Sequence, residues 1–261
     1  MSSLDPNHHD LQDLRRQILL AATVAREGHI PSALSVLDIL YCLYVKCPLT
    51  FGHDWTKKDT FILSKGHASL AYYAVLNKVG LIDESWVKSF TSFASEYGGH
   101  PDRKKIPGVV ASTGSLGHGL PMGIGIALAN RLGPNEGEVY VLIGDGELNE
   151  GSIWESFLLA SHHQLSTLTV IVDNNGSSNR AVNLGDISLK LESFGFFTKV
   201  IDGHSHEELM SSLERNSYNR PRAIIANTIK GFGVSAMENN PAWHHAYPSP
   251  DELNALLEAL E

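Results

Sequence analysis

Two stretches, VYVLIGDGELNEG (139–151) and LTVIVDNNGSS (168–178), decide how this chain folds. Each opens on five residues that are almost all apolar, without a polar alternation, and closes on glycine, aspartate and asparagine. An unbroken apolar run of that length suits a strand covered on both faces, the mark of a parallel sheet. The residues between them, from about Ile153 to His163, read as a helix, so the pair forms one β-α-β crossover.

The same alternation continues outward. Towards the C-terminus come a helix around Ile187 to Phe194, FTKVI (197–201), a helix around His206 to Asn216, and AIIANTI (223–229). Towards the N-terminus lie a Gly/Ala helix from Leu120 to Leu132, a short strand at Phe61 to Leu63, and a helix from Leu70 to Val79. Apolar spacing predicts two more helices, one from Leu11 and one from Leu34 to Val45. At the other end Ser249, Pro250 and Glu252 form a capping box for a last helix. The expected fold is α/β: a doubly wound, mainly parallel sheet of about five strands, forming a single domain over 1–261 with residues 1–8 disordered.

Composition narrows the function. The 261 residues are 43% hydrophobic and 19% charged, and 20 Lys+Arg against 29 Asp+Glu leave a net charge of −9. That balance argues against nucleic acid or an anionic membrane as partner. No apolar run approaches the roughly 18 residues of a spanning helix, and the N-terminus lacks a signal-peptide pattern, so a cytoplasmic location is expected. Cys42 and Cys47, five apart in an apolar helical stretch, have no CxxC spacing and read as reduced core or interface thiols.

In open α/β sheets ligands bind beyond the carboxyl ends of the strands. Here those ends carry Gly144-Asp145-Gly146 and Asp173-Asn174-Asn175, with Asp145 and Asn175 thirty residues apart. Either alone reads as an ordinary turn. Together they place a carboxylate and an amide oxygen at one space, a hard-oxygen set suited to Mg²⁺ (or Ca²⁺/Mn²⁺) shared with phosphate oxygens. The flanking glycines let backbone approach a phosphate closely. The pair resembles the GDG…N thiamin diphosphate signature, which implies that Asp145, Asn175 and the carbonyl of Ser177 hold the metal on the cofactor's diphosphate.

Thirteen histidines are many for the length. A single one is most simply structural, but His29, His67, His100, His118 and the pair His244-His245 lie in loops beside glycine, proline or another histidine. The segments REGHIPSALS, SKGHAS, YGGHPD, ASTGSLGHG, GDGELNEGSIWE and PAWHH occur in the order found in the N-terminal half of transketolases. The resemblance covers about 25 to 250. It implies that His29, His67, His100 and His244 are catalytic, lining the channel over the thiazolium and exchanging protons with the sugar, and that His67 also contacts the cofactor. It further implies cofactor contacts from Gly114, Leu116, Gly144, Asp145, Gly146, Glu150 and Asn175, with Glu150 near the interface between active sites. The glycine loop carries His118 where many members have Gln, and Gly176 to Ser178 are smaller than the commoner family pattern.

Full-length transketolases continue into a middle, pyrimidine-binding (Pyr) domain that supplies a glutamate to the cofactor. The capped C-terminal helix leads to the expectation that this chain is the N-terminal subunit of a split transketolase. The resemblance then implies a C-terminal partner subunit carrying the Pyr domain, a two-plus-two heterotetramer, and sugar or sugar-phosphate substrates for two-carbon ketol transfer. Two alternatives are the α subunit of a 2-oxoacid dehydrogenase, which would not explain SKGHAS, GHPD and PAWHH together, and a non-catalytic regulatory subunit, which loss of the channel histidines would have favoured.

Overall fold

The computed structural model describes residues 6–47, 49, 59–135, 137–178, 182–215 and 217–260. Helices α1 (Pro6–Ala25) and α2 (Ile30–Tyr41) are followed by β1 (Thr60–Leu63), α3 (Ser69–Lys78) and the single turn α4 (Trp86–Ser89). The rest alternates: α5 (Gly119–Leu132), β2 (Val139–Gly144), α6 (Gly151–His162), β3 (Leu168–Asn174), α7 (Ile187–Ser193), β4 (Phe197–Asp202), α8 (His206–Leu213), β5 (Arg222–Asn227) and α9 (Pro250–Glu258).

The five strands form one sheet in the order β1-β2-β3-β5-β4, and every neighbouring pair is parallel. The doubly wound expectation therefore holds. Successive strand residues face opposite sides. Val139, Val141 and Ile143 enter a core shared with α5, α6 and α7. Tyr140 and Leu142 enter a second core, larger in residues, built mainly with α1, α2 and α3. Helix α2 is buried over its whole length, which is why its sequence is apolar nearly all round.

Several details differ from expectation. Helix α1 begins at Pro6, not Leu11, so residues 6–8 are helical rather than disordered; residues 1–5 lie outside the described residues. A proline is tolerated in a helix's first turn because its missing N–H has no intrahelical partner there. Helix α2 starts at Ile30 and passes into a π-helical turn over Cys42–Lys46, with the Cys47 N–H donating to the Cys42 carbonyl at 2.8 Å. Both cysteines are free, and burial pushes the Cys42 thiol up to about 12. The C-terminal capping box forms as read: Ser249 Oγ accepts the Glu252 N–H and the Glu252 carboxylate accepts the Ser249 N–H. Among the described residues, no helix is long and apolar enough to cross a membrane.

Candidate functional site

Register places the strand ends. Gly144 pairs with Asp173, and Asn174 pairs with Asn227, so the loops after β2, β3 and β5 leave the sheet side by side. With the loop after β1 they border a cleft of about 330 Å³. Of the residues singled out in the sequence, His29, His67, His100, Gly114, Leu116, Gly144, Asp145, Gly146, Asn175, Ser177 and His244 all line it. Glu150 does not: it is exposed at the start of α6, and a Cβ placed on Gly117 would lie 2.8 Å from its own. His118 is likewise exposed and outside, its Nδ1–H donating to the Leu116 carbonyl at 3.0 Å.

Asp145 is almost fully buried. It accepts from Ser177 Oγ and from the Ser178 N–H, each at 3.2 Å. Asn175 Oδ1 accepts the Ser177 N–H at 3.1 Å. The carboxylate and the amide oxygen thus meet across the turn at Ser177. A side chain at position 146 would meet nothing within 4 Å, so the backbone there is open to a ligand.

Four residues of the cleft were not singled out in the sequence: Ser32, Lys65, Glu147 and Lys230. Glu147 is buried and joins two loops, accepting the Gly117 N–H at 2.9 Å, the Gly144 N–H at 3.1 Å and the Ser64 hydroxyl at 2.6 Å. Burial pushes its carboxyl up, against the pull of those bonds. Lys65, buried in SKGHAS, forms an ion pair with the fully buried Asp173. Burial alone would raise the Asp173 carboxyl, but Lys65 and its hydrogen bonds hold it below the usual carboxylate range. Lys230 donates to His244 Nδ1 at 3.2 Å; burial and the neighbouring Lys65 lower its ammonium. A signal for Glu147 was present, because it continues the GDG motif. Lys65 likewise lies inside SKGHAS, whereas nothing local marks Lys230.

The histidines form one group. The His29 ring lies 5.3 Å from that of His67, 5.8 Å from His244 and 4.6 Å from His245. His100 covers Gly114, where a Cβ would lie 2.9 Å from its ring and φ is +141°. Burial, then the nearby histidines and Lys230, lowers His29 to about 4. Burial, then Lys65, lowers His67 to about 2. Burial and Lys230 lower His244 as well. The imidazoles of His29, His67 and His244 are therefore neutral at neutral pH, each with one nitrogen that donates and one that accepts.

Among the described residues no group of three or more His, Cys, Asp or Glu stands ready to hold a metal alone. A cation at Asp145 and Asn175 would have to complete its shell from a ligand's oxygens and water, the habit of Mg²⁺ on a phosphorylated molecule. The residues present fit a divalent cation bound together with a diphosphate.

A cleft at the carboxyl ends of parallel strands is where α/β domains take their ligands. Residues 10–260 match the domain described as transketolase, thiamine diphosphate binding domain. The chain belongs to that family. It is 36% identical over 255 residues to an apulose-4-phosphate transketolase subunit of Actinobacillus succinogenes, covering 95% of this chain and 92% of that one. It is 31% identical over 243 residues to a 6-deoxy-6-sulfo-D-fructose transketolase subunit of Clostridium sp. (strain MSTE9), covering 90% and 88%. The solved transketolase of Leishmania mexicana superposes with a TM-score of 0.88 at 26% identity over 98% of this chain. This chain spans 41% of that protein's length.

Proposed function

We propose that this chain is the cofactor-binding subunit of a two-component transketolase, working with a second polypeptide that carries the Pyr domain. The observation that carries the reading is the convergence of Asp145, Asn175 and Ser177 with His29, His67, His100 and His244 on one cleft. Asp145, Asn175 and the Ser177 carbonyl would hold Mg²⁺ against the diphosphate, while the open backbone at Gly146 admits the phosphates. When bound, thiamin diphosphate supplies the electron sink that breaking a carbon–carbon bond next to a ketone requires. The four histidines hold or move protons at the substrate's hydroxyl and carbonyl oxygens, a task suited to imidazole. Lys230 adds positive charge beside them.

Two relatives named as transketolase subunits, matched over nearly their whole length, support the need for a partner. Their names also support a sugar-derived substrate; one carries a phosphate and the other a sulfonate, so the proposed class is an anionic ketose. The family match favours ketol transfer over the 2-oxoacid dehydrogenase alternative. Surface character supports a partner too. Along one side of α5, Met122, Gly125, Ala129 and Leu132 are exposed, and α6, packed beside it, exposes Leu158 and Leu159. Exposed apolar rows of this kind mark interaction surfaces.

The test is ketol transfer from a keto-sugar donor, assayed with the purified chain, with the candidate partner and with the mixture. Activity is expected only in the mixture. Full activity from the chain alone would overturn the two-component reading.

A further inference from the structure

A metal-binding asparagine must present oxygen, yet its side chain carries an oxygen and an NH₂ of nearly the same shape on opposite sides. Turned over, Asn175 would offer two N–H donors to a cation and repel it. What fixes its orientation is therefore as important as the residue itself. The structure supplies the device two residues earlier. Asn175 Nδ2 donates to Asp173 Oδ2 at 2.9 Å, while Oδ1 on the other side accepts the Ser177 N–H.

Asp173 is the last-but-one residue of β3 and wholly buried. Besides Asn175 it accepts from Ser35 Oγ at 2.8 Å, from Lys65 Nζ and from Thr228 Oγ1. Its four partners come from α2, from the loop after β1, from the loop after β3 and from the loop after β5. Every one of them donates. A carboxylate with Lys65 against it is acceptor-only, so the side of Asn175 that faces it has to be the NH₂. The oxygen is thereby left for the Asp145 side of the cleft.

We infer that Asp173 is a positioning residue for the cation site: held by Lys65, Ser35 and Thr228, it orients the Asn175 amide so that Oδ1 is offered beside Asp145. This rests on the proposed metal and diphosphate site. Groups that orient a metal ligand from behind typically contribute 10- to 100-fold to metal affinity.

Two substitutions at 173 separate orientation from simple support of Lys65. Lys65 and Asn175 donate to the same oxygen, Oδ2 of Asp173, so in Asp173→Asn the oxygen drawn to Lys65 still accepts from Asn175 while the ion pair is lost. In Asp173→Leu the ion pair and the acceptor are both lost, and in Asp173→Leu/Asn175→Asp a carboxylate at 175 offers oxygen whichever way it turns. Mn²⁺ affinity of the chain in the presence of thiamin diphosphate is read by electron paramagnetic resonance, alongside the melting temperature without ligands. The expectation is that Asp173→Leu loses about tenfold or more in Mn²⁺ affinity, that Asp173→Asn loses much less, and that adding Asn175→Asp to Asp173→Leu regains most of the loss, although all three melt below the wild type. Unchanged affinity in Asp173→Leu, or an equal loss in Asp173→Leu and Asp173→Asn, would overturn the orienting role. Wild-type chain that holds no Mn²⁺ with the cofactor present would instead overturn the site on which the inference rests.

Discussion

Gly144 and Asp173 are direct partners in the parallel register of β2 and β3. One residue past Gly144 and two past Asp173 stand Asp145 and Asn175, which is how residues thirty apart in sequence share a cleft. Replacing Asp145 or Asn175 by alanine is expected to abolish Mg²⁺-dependent thiamin diphosphate binding while leaving circular dichroism unchanged. A multiply charged diphosphate has little reason to enter a chain of net charge −9 without a cation. Calorimetry would decide, and unchanged cofactor affinity in either variant would remove the metal assignment.

His67→Ala, His100→Ala and His244→Ala are each expected to lower kcat or kcat/KM of the assembled enzyme by more than about tenfold, within the roughly 10²- to 10⁴-fold usual for proton-transfer groups. Cofactor affinity should change little in His100→Ala and His244→Ala. Steady-state kinetics with each variant would test this, and wild-type turnover in all three would make the histidines structural.

Stability should depend on pH through His29 and His67. Their folded values lie at about 4 and about 2, against an ordinary 6.5. Below about pH 6.5 the unfolded chain binds protons that the folded chain refuses, so stability is full above that pH and falls as the pH drops towards 4, and further for His67. The melting temperature is expected to decline from about pH 7.5 to about pH 5, and less steeply in His67→Gln. An identical slope in the variant would show that burial does not keep this imidazole neutral.

Gly119 touches Ser64 so closely that a Cβ there would lie 2.5 Å from the serine Cβ and 2.7 Å from its Cα. Backbone cannot rotate aside, so Gly119→Ala is expected to cost about 1–3 kcal/mol in denaturant unfolding. Gly125→Ala on the same helix meets nothing within 4 Å and should be neutral or slightly stabilising. Equal effects from both would refute the close approach.

The parts of the site legible in the sequence are those whose signal is local. Asp145 and Asn175 end apolar strands, and His29, His67, His100 and His244 sit in short motifs that carry a family resemblance. Glu150 shares a motif with residues of the cleft but stands outside it, because the chain has already turned away from the strand end where it enters α6, and Glu150, the extended residue just before that helix, is exposed. Lys65 lies within SKGHAS, yet its importance comes from Asp173, 108 residues away. Thr228 reaches the same carboxylate because β5 inserts between β3 and β4, and strand order is a property of packing that no single strand encodes. Lys230 rides on that same loop and was invisible for the same reason.

The exposed row on α5 has a consequence for synthesis. Copies of the chain made in excess of whatever covers Met122, Ala129 and Leu132 would carry that row into solution, where it can stick to other copies. Under the two-component reading, surplus of one polypeptide is then harmful and not merely idle. Matched translation of the two chains, as from adjacent cistrons on one message, would keep the row covered as it is made.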